Sequence, residues 1–535
     1  MEILRKHSPA PGLFSRRGFL TCAGATLLQT ALADHGLSRS APAQGLGGNP
    51  FTLGVASGDP LPHGIVLWTR LAPDPLNGGG VPQHPIPVQW EIALDEHLER
   101  VVQRGFARAL PELAHSVHVE VDGLQPARWY WYRFRAGNEV SPIGRTRTAP
   151  PFGAALDELQ FAFVSCQHYG NGYYPALRRM AEEDLEFAVH LGDYIYEGAS
   201  NGTPRTHLPA REIVTIDDYR IRHAQYRSDP DLQAVHAAFP WIMTWDDHEV
   251  ENDYAGFLPE NPADPADNQP DFATRRARAY QAYYEHMPLR RTQLPTGPYL
   301  QLYRRLSFGN LVQVNVLDTR QYRSHRAPAS CDLSQRVNGY CPEALDPTRT
   351  IEGVAQRNWL LNGLGRSIAS WNLLANQVPF APSDGNASPD IVTFGNEKWD
   401  GYPVDRQQVL DFLRERNLVN TIIITGDNHN NWVRNVPPDY LRLDAEPVAT
   451  EFIGTSVSTG GDRTINTTYG GDVNNPHFRF FDNHHGYVRC KLTPELWTTD
   501  FRTVPTVLSA DAPISTLASF VVEQGRAGAL LNSSV

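Results

Sequence analysis

The sequence predicts two domains, an antiparallel β-sandwich followed by a larger α/β domain. Its 535 residues exceed what one hydrophobic core usually supports. Short runs of alternating apolar and polar residues fill the stretch 51–147, and from residue 159 onward apolar strands alternate with helical patterns. The first pattern is typical of antiparallel sheets and the second of α/β layering.

Five short strands are predicted in the first domain. They are FTLGVAS from Phe51, GIVLWTRL from Gly64, VQWEIAL from Val88, VHVEVDGL from Val117 and ARWYWYRFRAG from Ala127. Turn signals separate them, including Gly58-Asp59-Pro60, as in a small sandwich. Leu124-Gln125-Pro126 before the aromatic-rich strand resembles a fibronectin-III-like domain. Ala149-Pro150-Pro151 marks a boundary, so the first domain is placed at residues 44–150 and the second at 151–535.

Residues 1–43 are predicted to be an export signal. Ser15-Arg16-Arg17-Gly18-Phe19-Leu20 has the twin-arginine pattern, a weakly apolar stretch follows, and Ala41-Pro42-Ala43 gives an A-x-A cleavage site. The apolar stretch is far shorter than the ~20 residues that a membrane-spanning helix needs. The sequence therefore predicts export by the twin-arginine translocase to the periplasm or the medium, with no transmembrane anchor.

Composition limits the partners. The net charge of −12 argues against a nucleic-acid-binding surface, because phosphate backbones require a basic one. A hydrophobic fraction of 41% is normal for a packed protein, and no internal repeat is present. We expect a monomer without a stable nucleic-acid partner.

The cysteines that follow the predicted signal have different predicted roles. Cys331 and Cys341 bracket a polar loop, and a local disulfide between them is expected outside the cytoplasm. Cys490 lies in a predicted strand and is interpreted as an inert buried thiol. Cys166 ends an apolar strand. A small core side chain would be the usual interpretation of such a cysteine, but its neighbourhood favours a ligand.

In the second domain, helices are predicted around 176–183, 275–286 and 406–416, and the proline-rich loop 259–270 is expected at the rim of the site. Four predicted strands end in metal-binding types of side chain. These segments are FAFVSCQ from Phe161, FAVHLGDYIYE from Phe187, WIMTWDDHEVEND from Trp241 and TIIITGDNH from Thr421. Ligands of open α/β folds bind at the carboxyl ends of the strands. A metallohydrolase is the simplest interpretation.

Asp193 is the central candidate. A carboxylate at a strand end can bridge two cations, and two metals about 3.5–4 Å apart can clamp the attacking and leaving oxygens of a phosphoryl transfer. Tyr196 follows three residues later. Because phenolate and thiolate suit ferric iron better than Ca²⁺, Tyr196 and Cys166 favour Fe(III). Taken alone, Tyr196 is equally well explained as a buried aromatic with a satisfied hydroxyl.

The next two strand ends supply oxygen and imidazole groups. Asp247 and Asn252 offer hard oxygen ligands for Ca²⁺. His248 is a ligand-type residue that could instead be the general acid for the leaving oxygen, or hydrogen-bond the phosphoryl group. Asp427 and His429, two residues apart, place a carboxylate and an imidazole on the same side of an extended backbone. Neighbouring acidic residues such as Glu249 and Asp253 are expected to be outer-shell or structural.

Together these segments resemble the alkaline phosphatase D (PhoD) family, exported phosphodiesterases and phosphatases that are distantly similar to calcineurin-like metallophosphoesterases. The resemblance spans nearly the whole chain after the signal. It rests on FTLGVASGDPLPHGIVLWTRL (51–71), SCQ (165–167), HLGDYIYE (190–197), TWDDHEVENDY (244–254), NQVPF (376–380), WDGYP (399–403), ITGDNH (424–429) and EFIGTSVSTGG (451–461).

The resemblance implies a β-sandwich followed by a four-layer αββα phosphoesterase domain that holds Fe(III) and Ca²⁺. It implies metal ligands at Cys166, Asp193, Tyr196, Asn252, Asp427 and His429, with Asp247 a weaker candidate. His248, Asp193 and Asp427 are the expected catalytic residues. Asn376, Trp399 and Asp400 are expected to line the substrate pocket by resemblance only. From the residues themselves, Asn376 could cap a turn and Trp399 could belong to the core.

One motif departs from the family. In the family, the Gly-Asp-x-His motif is usually followed by Ser or Thr. In this chain the motif ends at His429 and is followed by Asn430 and Asn431. The metal-type positions remain, so activity is expected, with altered substrate contacts near Asn430.

The predicted mechanism is direct in-line attack by a metal-activated water on a phosphate ester. Coordination lowers the pKa of bound water from ~15.7 towards neutrality, and the cations neutralise charge on the phosphoryl oxygens. No Ser or Thr nucleophile is needed, so inversion at phosphorus is expected. A phospholipase D-type phosphodiesterase and a non-catalytic exported binding protein are the two alternatives.

Overall fold

The computed structural model describes residues 46 and 48–533 except 201, 264–270, 328–330, 387, 389, 440 and 470–473. The predicted export signal at 1–43 and most of the proline-rich loop 259–270 lie outside the described residues. None of the described helices is long and apolar enough to cross a membrane.

The strands are β1 Val55–Leu61, β2 Gly64–Arg70, β3 Ile86–Ala93, β4 Val101–Ala109, β5 Ser116–Asp122, β6 Trp129–Ala136, β7 Glu139–Val140, β8 Gly144–Arg147, β9 Leu159–Val164, β10 Phe187–His190, β11 Trp241–Met243, β12 Arg304–Phe308, β13 Val312–Val316, β14 Trp371–Ala375, β15 Thr421–Thr425, β16 Asn431–Val436, β17 Ala449–Ile453, β18 Phe478–Asp482, β19 His485–Leu492, β20 Leu496–Val504, β21 Ser515–Glu523 and β22 Leu530–Leu531. The α-helices are α1 Pro175–Ala181, α2 Ile216–Arg227, α3 Pro230–Ala238, α4 Phe272–His286, α5 Gly353–Leu364 and α6 Pro403–Glu415.

The strands form three sheets. The ten-stranded sheet has the order β22-β21-β20-β19-β9-β10-β11-β1-β2-β5, and the seven-stranded sheet has the order β12-β13-β14-β15-β17-β16-β18. A five-stranded sheet of β4-β3-β6-β7, with β8 beside β6, completes the N-terminal part. The predicted mixed α/β fold with several sheets is confirmed. The domain boundary at residue 150, the fibronectin-III-like sandwich and the four-layer arrangement stay predictions.

The five predicted N-terminal strands are present as β1, β2, β3, β5 and β6, whereas β4, β7 and β8 were not predicted and β1 begins at Val55 rather than Phe51. The turn predicted at Gly58-Asp59-Pro60 is wrong, because β1 runs through these residues. The pairing with β2 shifts register between Gly58 and Leu61, as at a β-bulge. Gly58 also faces β11, and a Cβ atom there would lie 2.4 Å from the carbonyl oxygen of Pro288. Glycine therefore permits β1 to join the ten-stranded sheet at this point.

The parallel strands bury both faces. On β9, Ala162 packs with the helices α1–α4, whereas Phe161 and Phe163 pack against the seven-stranded sheet. On β15, Ile422 and Ile424 lie in the same inter-sheet core. Neighbouring residues point to opposite faces of a strand, which explains why parallel strands covered on both sides are continuously apolar.

The outer face of the seven-stranded sheet is covered by two more helices. Ile423 of β15 and Leu374 of β14 pack with Leu360 of α5 and Leu410 of α6. The helices predicted around 176–183, 275–286 and 406–416 are present as α1, α4 and α6. The strands β9, β10 and β11 are mutually parallel, as are β13, β14 and β15. Their carboxyl ends carry the residues of interest.

The predicted disulfide and the predicted buried thiol of Cys490 are both present, and the ligand role of Cys166 stays a prediction. Cys331 and Cys341 form a disulfide with Cα atoms 5.8 Å apart. Cys490 is a buried free thiol in β19, and Cys166 is a buried free thiol at the end of β9.

Candidate metal centre

Four ligand-type residues at the strand ends have left-handed backbone. The φ angles are +59° at Cys166, +55° at Asp193, +60° at Asp427 and +58° at His429. Positive φ is uncommon for residues other than glycine and costs free energy. Such strained residues cluster at functional sites, where surrounding contacts hold them in place.

Gly192 allows the turn after β10 to approach the turn after β11. Its φ is +115°, and a Cβ atom there would lie 2.3 Å from the backbone nitrogen of Asp246. The Glu249 side chain links the two turns by hydrogen bonds. Its carboxylate accepts from the backbone N–H groups of Tyr194 at 2.6 Å and Asp246 at 2.9 Å. The close approach places Asp193 beside Asp247.

The first ligand group combines Cys166, Asp193 and His429. One ligand atom from each residue lies within 4.8 Å of the others. The hydroxyl of Tyr196 lies 2.9 Å from Oδ2 of Asp193 and 3.3 Å from Nε2 of His429. Tyr196 also accepts a hydrogen bond from Thr459 at 2.9 Å. The structure therefore brings together four of the predicted ligands, from three strand ends and two sheets.

The second group combines Asp193, Asp247 and His248, again within 4.8 Å of one another. Asp193 belongs to both groups. Its Oδ1 atom is buried and has no hydrogen-bond partner in the described structure. An unpaired buried carboxylate oxygen is costly, and a shared cation would satisfy it. The donor set therefore fits two metal positions bridged by Asp193.

His248 is oriented by Glu197. Nδ1 of His248 lies 2.7 Å from one carboxylate oxygen of Glu197, and the other accepts from the backbone N–H of Asn252 at 2.8 Å. The side-chain Nδ2 of Asn252 donates to the carboxylate of Glu260 at 2.7 Å. This leaves the carbonyl oxygen of Asn252 as its ligand-type atom.

Asp427 faces two basic side chains. Its Oδ2 atom lies 2.5 Å from Nζ of Lys398, and its Oδ1 atom lies 3.7 Å from Arg320. Lys398 also donates to Asn428 at 2.9 Å. These contacts fix the position of the Asp427 carboxylate, which belongs to neither of the two groups.

Three charged residues near the ligand groups were not predicted from the sequence, namely Arg320, Glu397 and Lys398. Arg320 follows β13 and is fully buried, and it contacts carboxylates from several turns. A signal was present, because the apolar end of β13 leads directly into Asp318-Thr319-Arg320. Glu397 and Lys398 lie in a loop between β14 and α6 that has no periodic pattern.

Burial and neighbouring carboxylates raise the pKa values of three acidic side chains around the two groups. Burial, opposed by Arg320 and reinforced by neighbouring carboxylates, raises the pKa of Asp246 well above its usual range. Burial and the charge of Asp193 raise the pKa of Glu249 to about 8. Burial and the charge of Glu397 raise the pKa of Asp253 to about 7. Excess negative charge of this kind is what bound cations neutralise.

The thiol and the phenol are affected in the same direction. Burial, with the nearby charge of Asp193, raises the pKa of Cys166 and of Tyr196 well above their usual values. A coordinating metal reverses this, since a thiol bound to a metal is deprotonated. Burial alone would lower the pKa of His248, but Glu197, Asp193 and Asp247 raise it well above its usual value.

The three residues expected to line the substrate pocket are buried and hydrogen-bonded to protein. Asn376 and Trp399 are fully buried, and the indole N–H of Trp399 donates to Oδ1 of Asn376 at 3.1 Å. Asp400 accepts from Arg406 at 2.6 Å and from the backbone N–H of Ser383 at 3.1 Å. Their substrate-binding role stays a prediction.

A cavity of about 780 Å³ lies apart from these groups, lined by residues such as Arg336, Asp384 and Phe394. None of the ligand-type residues lines it. The site is therefore identified by converging side chains rather than by cavity volume.

Comparison with known proteins gives similarities over almost the whole chain. The PhoD-like phosphatase family matches residues 161–501, and the PhoD-like phosphatase N-terminal domain matches residues 37–150. Alkaline phosphatase D of Bacillus subtilis (strain 168) is 47% identical, over 99% of this chain and 91% of that protein. A solved structure described as "Structure of PhoD" is 48% identical and aligns with a TM-score of 0.84, over 91% of this chain and 92% of that one.

Proposed function

This chain belongs to the PhoD-like phosphatase family and is a hydrolase of phosphoric esters, and we propose that it hydrolyses phosphodiesters and phosphomonoesters with two kinds of bound metal. The supporting observation is the position of Asp193, which belongs to both ligand groups and has a buried carboxylate oxygen without a partner. The alternative of a non-catalytic exported binding protein does not agree with family membership.

Fe(III) is proposed for the first group. Cys166, Tyr196 and His429 surround Asp193 there, and they supply thiolate, phenolate and imidazole groups. Thiolate ligands suit iron and zinc rather than calcium, and phenolate is a known ligand of protein-bound iron.

Ca²⁺ is proposed for the second position. Asp193 and Asp247 supply carboxylate oxygens, and Asn252 and Asp427 are further oxygen ligands. Calcium takes six to eight oxygen ligands in flexible geometry. A metal ion bound there would supply Lewis-acid chemistry, lowering the pKa of a coordinated water and neutralising charge on the phosphoryl oxygens.

The residues of the chain position the ester and move the proton. Asp193 and Asp427 hold the reacting centre in place. His248 is the proposed general acid, because the carboxylate of Glu197 fixes Nδ1 and, against the effect of burial, raises the pKa of the imidazole, leaving Nε2 to give its proton to the leaving oxygen. No serine or threonine nucleophile is assigned, so inversion at phosphorus is expected.

Hydrolysis of chromogenic esters tests this proposal. Wild-type protein and the Asp193→Asn variant are compared on bis-p-nitrophenyl phosphate, p-nitrophenyl phosphate and phosphatidylcholine, before and after calcium chelation. We expect loss of turnover on the two nitrophenyl esters after chelation, with recovery on adding Ca²⁺ and iron retained throughout. Faster release of choline from phosphatidylcholine than of nitrophenol from the two nitrophenyl esters would favour the phospholipase alternative. Retention of configuration at phosphorus would contradict in-line attack.

Export is also proposed. The twin-arginine pattern at Arg16 and Arg17 and the A-x-A site at 41–43 support transport by the twin-arginine translocase to the periplasm or the medium. Arg16→Lys/Arg17→Lys should leave the protein in the cytoplasm, as cell fractionation would show. Monomeric state is proposed likewise, and light scattering would test it.

We also propose a four-layer αββα architecture, which is supported by the buried apolar clusters. Two helical groups cover the outer faces of the two large sheets, and an apolar core lies between the sheets. This supports four layers in the order αββα. A core shared by β1, β2 and β5 with β3 and β6 supports the fibronectin-III-like sandwich.

A further inference from the structure

We propose that Arg320 is a positioning residue that ties the ligand turns of the two large sheets together and thereby sets the affinity of the calcium position. The inference rests on the proposed metal site. Arg320 lies at the carboxyl end of β13 in the seven-stranded sheet, and no ligand role was expected for it.

The guanidinium reaches carboxylates from both sheets. Nε lies 2.5 Å from Asp246, and Nη2 lies 3.5 Å from Asp247, both of which follow β11 of the ten-stranded sheet. Nη2 also lies 3.7 Å from Asp427, which follows β15 of the seven-stranded sheet. One planar group therefore stands between two proposed calcium ligands that come from different sheets.

The other edge of the guanidinium contacts two further carboxylates that are not proposed ligands. Nη1 lies 3.0 Å from Glu397 and 3.6 Å from Asp253. The backbone N–H of Arg320 donates to Oδ1 of Asp318 at 3.1 Å, which shapes the turn after β13. Because both its guanidinium and its backbone are held, Arg320 has little freedom to follow a substrate.

Burial separates Arg320 from a substrate contact. Its side chain is 0% exposed, whereas that of Lys398 beside the same Asp427 is 33% exposed. A residue that received the phosphoryl group directly would need an open edge. Arg320 instead acts on the carboxylates, in the manner of outer-shell partners that orient metal ligands.

Arginine is required rather than any cation. Its planar fork can address several carboxylates at once, whereas the lysine ammonium is a compact point charge. Arg320→Lys keeps the charge and removes the span. The matched control is Arg323→Lys on the same turn, because Arg323 is also buried and contacts Glu397 at 2.6 Å and the Thr319 carbonyl at 2.7 Å, and no ion pair to a proposed ligand is found for it among the described residues.

The experiment measures calcium binding and turnover separately. Holoenzyme is treated with a calcium chelator, iron content is checked by elemental analysis, and calcium chloride is titrated back by calorimetry. We expect Arg320→Lys to weaken calcium binding by about 10–100-fold, the usual effect of losing an outer-shell partner. Iron content and KM should be unchanged, and kcat should recover at high calcium. Arg323→Lys should bind calcium as wild type does.

Other outcomes overturn the proposal. Unchanged calcium binding in Arg320→Lys with a raised KM would make Arg320 a substrate contact, and equal losses in both lysine variants would make it a packing residue. If Arg320→Lys does not fold, Asp246→Asn weakens one anchor of the guanidinium at nearly constant shape. It should weaken calcium binding in the same direction, and unchanged binding overturns the proposal. Loss of all metal in Asp193→Asn is independent of these results and tests the metal site itself.

Discussion

The turns after β10 and β14 both follow buried parallel strands, yet their polar atoms have different surroundings. Asp193 after β10 has left-handed backbone and a buried carboxylate oxygen without a partner. Asn376 after β14 donates to the carbonyl of Val378 at 2.5 Å and accepts from Trp399 at 3.1 Å. A polar residue at a strand end is therefore not sufficient for a site. The unmet bonding capacity of Asp193 is what distinguishes it from Asn376 and supports the proposed cation site.

The largest expected effect is at Asp193. Asp193→Asn removes the charge shared by both ligand groups, so kcat on bis-p-nitrophenyl phosphate should fall by more than about 100-fold, the upper end for outer-shell changes. Steady-state kinetics and circular dichroism would establish that activity is lost while the fold remains. A folded variant with wild-type kcat would remove the distinction between the two turns.

Asn376→Ala should give the opposite result. The indole N–H of Trp399 would lose its buried acceptor, and the free energy of unfolding should fall by about 1–3 kcal/mol. Urea unfolding measures this, and unchanged kcat and KM on both nitrophenyl esters would assign Asn376 to the fold rather than to the predicted substrate pocket. A raised KM with unchanged stability would instead support the predicted pocket role of Asn376.

His223 tests whether every unpartnered buried group indicates a ligand. Both of its ring nitrogens lack partners in the described structure, and burial, with nearby arginines such as Arg70, lowers its pKa from 6.5 to about 3. A lowered histidine pKa gives stability that is present above pH 6.5 and lost as pH falls towards 3. At pH 5 the loss amounts to about 2 kcal/mol. This group is neutral rather than ionised, so no counter-ion is implied.

The prediction is that His223→Leu reduces the difference in unfolding free energy between pH 7 and pH 5 by about 2 kcal/mol. Urea unfolding at the two pH values measures it. His97→Leu is the control, since the His97 side chain is 75% exposed. An unchanged difference in His223→Leu would show that this ring is hydrogen-bonded or protonated in the folded state.

The smallest expected effect concerns Glu197. Burial alone lowers the pKa of His248, whereas the charges of Glu197, Asp193 and Asp247 raise it. Glu197→Gln should therefore move the alkaline limb of the kcat profile to lower pH, because the general acid loses its proton earlier. We expect kcat at alkaline pH to fall by about tenfold. Glu212→Gln, which alters a carboxylate paired with Arg275 at 2.6 Å, is the control. A pH profile identical to wild type would exclude the proton-donor role of His248.

The sequence predicted the four ligand turns because each follows a short, mostly apolar strand. Strands buried on both faces are mostly apolar and can be recognised in the sequence, as can the polar residues that follow them. The turn after β13 was missed because Gln313 and Asn315 interrupt the apolar run within that strand. Arg320 meets Asp246 only because two sheets pack face to face, and pairing between distant segments leaves no local pattern.

Other differences have local causes. β4 alternates exposed and half-buried residues and includes Gly105 and several polar side chains, so its weak pattern was not recognised as a strand. The residues Gly58-Asp59-Pro60 predict a turn, although a register shift accommodates them within β1. Turn chemistry predicts local backbone, and tertiary pairing can still extend a strand through it.

Elemental analysis of natively exported protein tests the central claim most directly. Iron and calcium are measured per chain in wild type and in Asp193→Asn, alongside the visible spectrum, in which thiolate and phenolate bound to Fe(III) give a charge-transfer band. We expect both metals and the band in wild type, and the loss of the metals, the band and the activity in Asp193→Asn. Fully active protein containing neither iron nor calcium would contradict it.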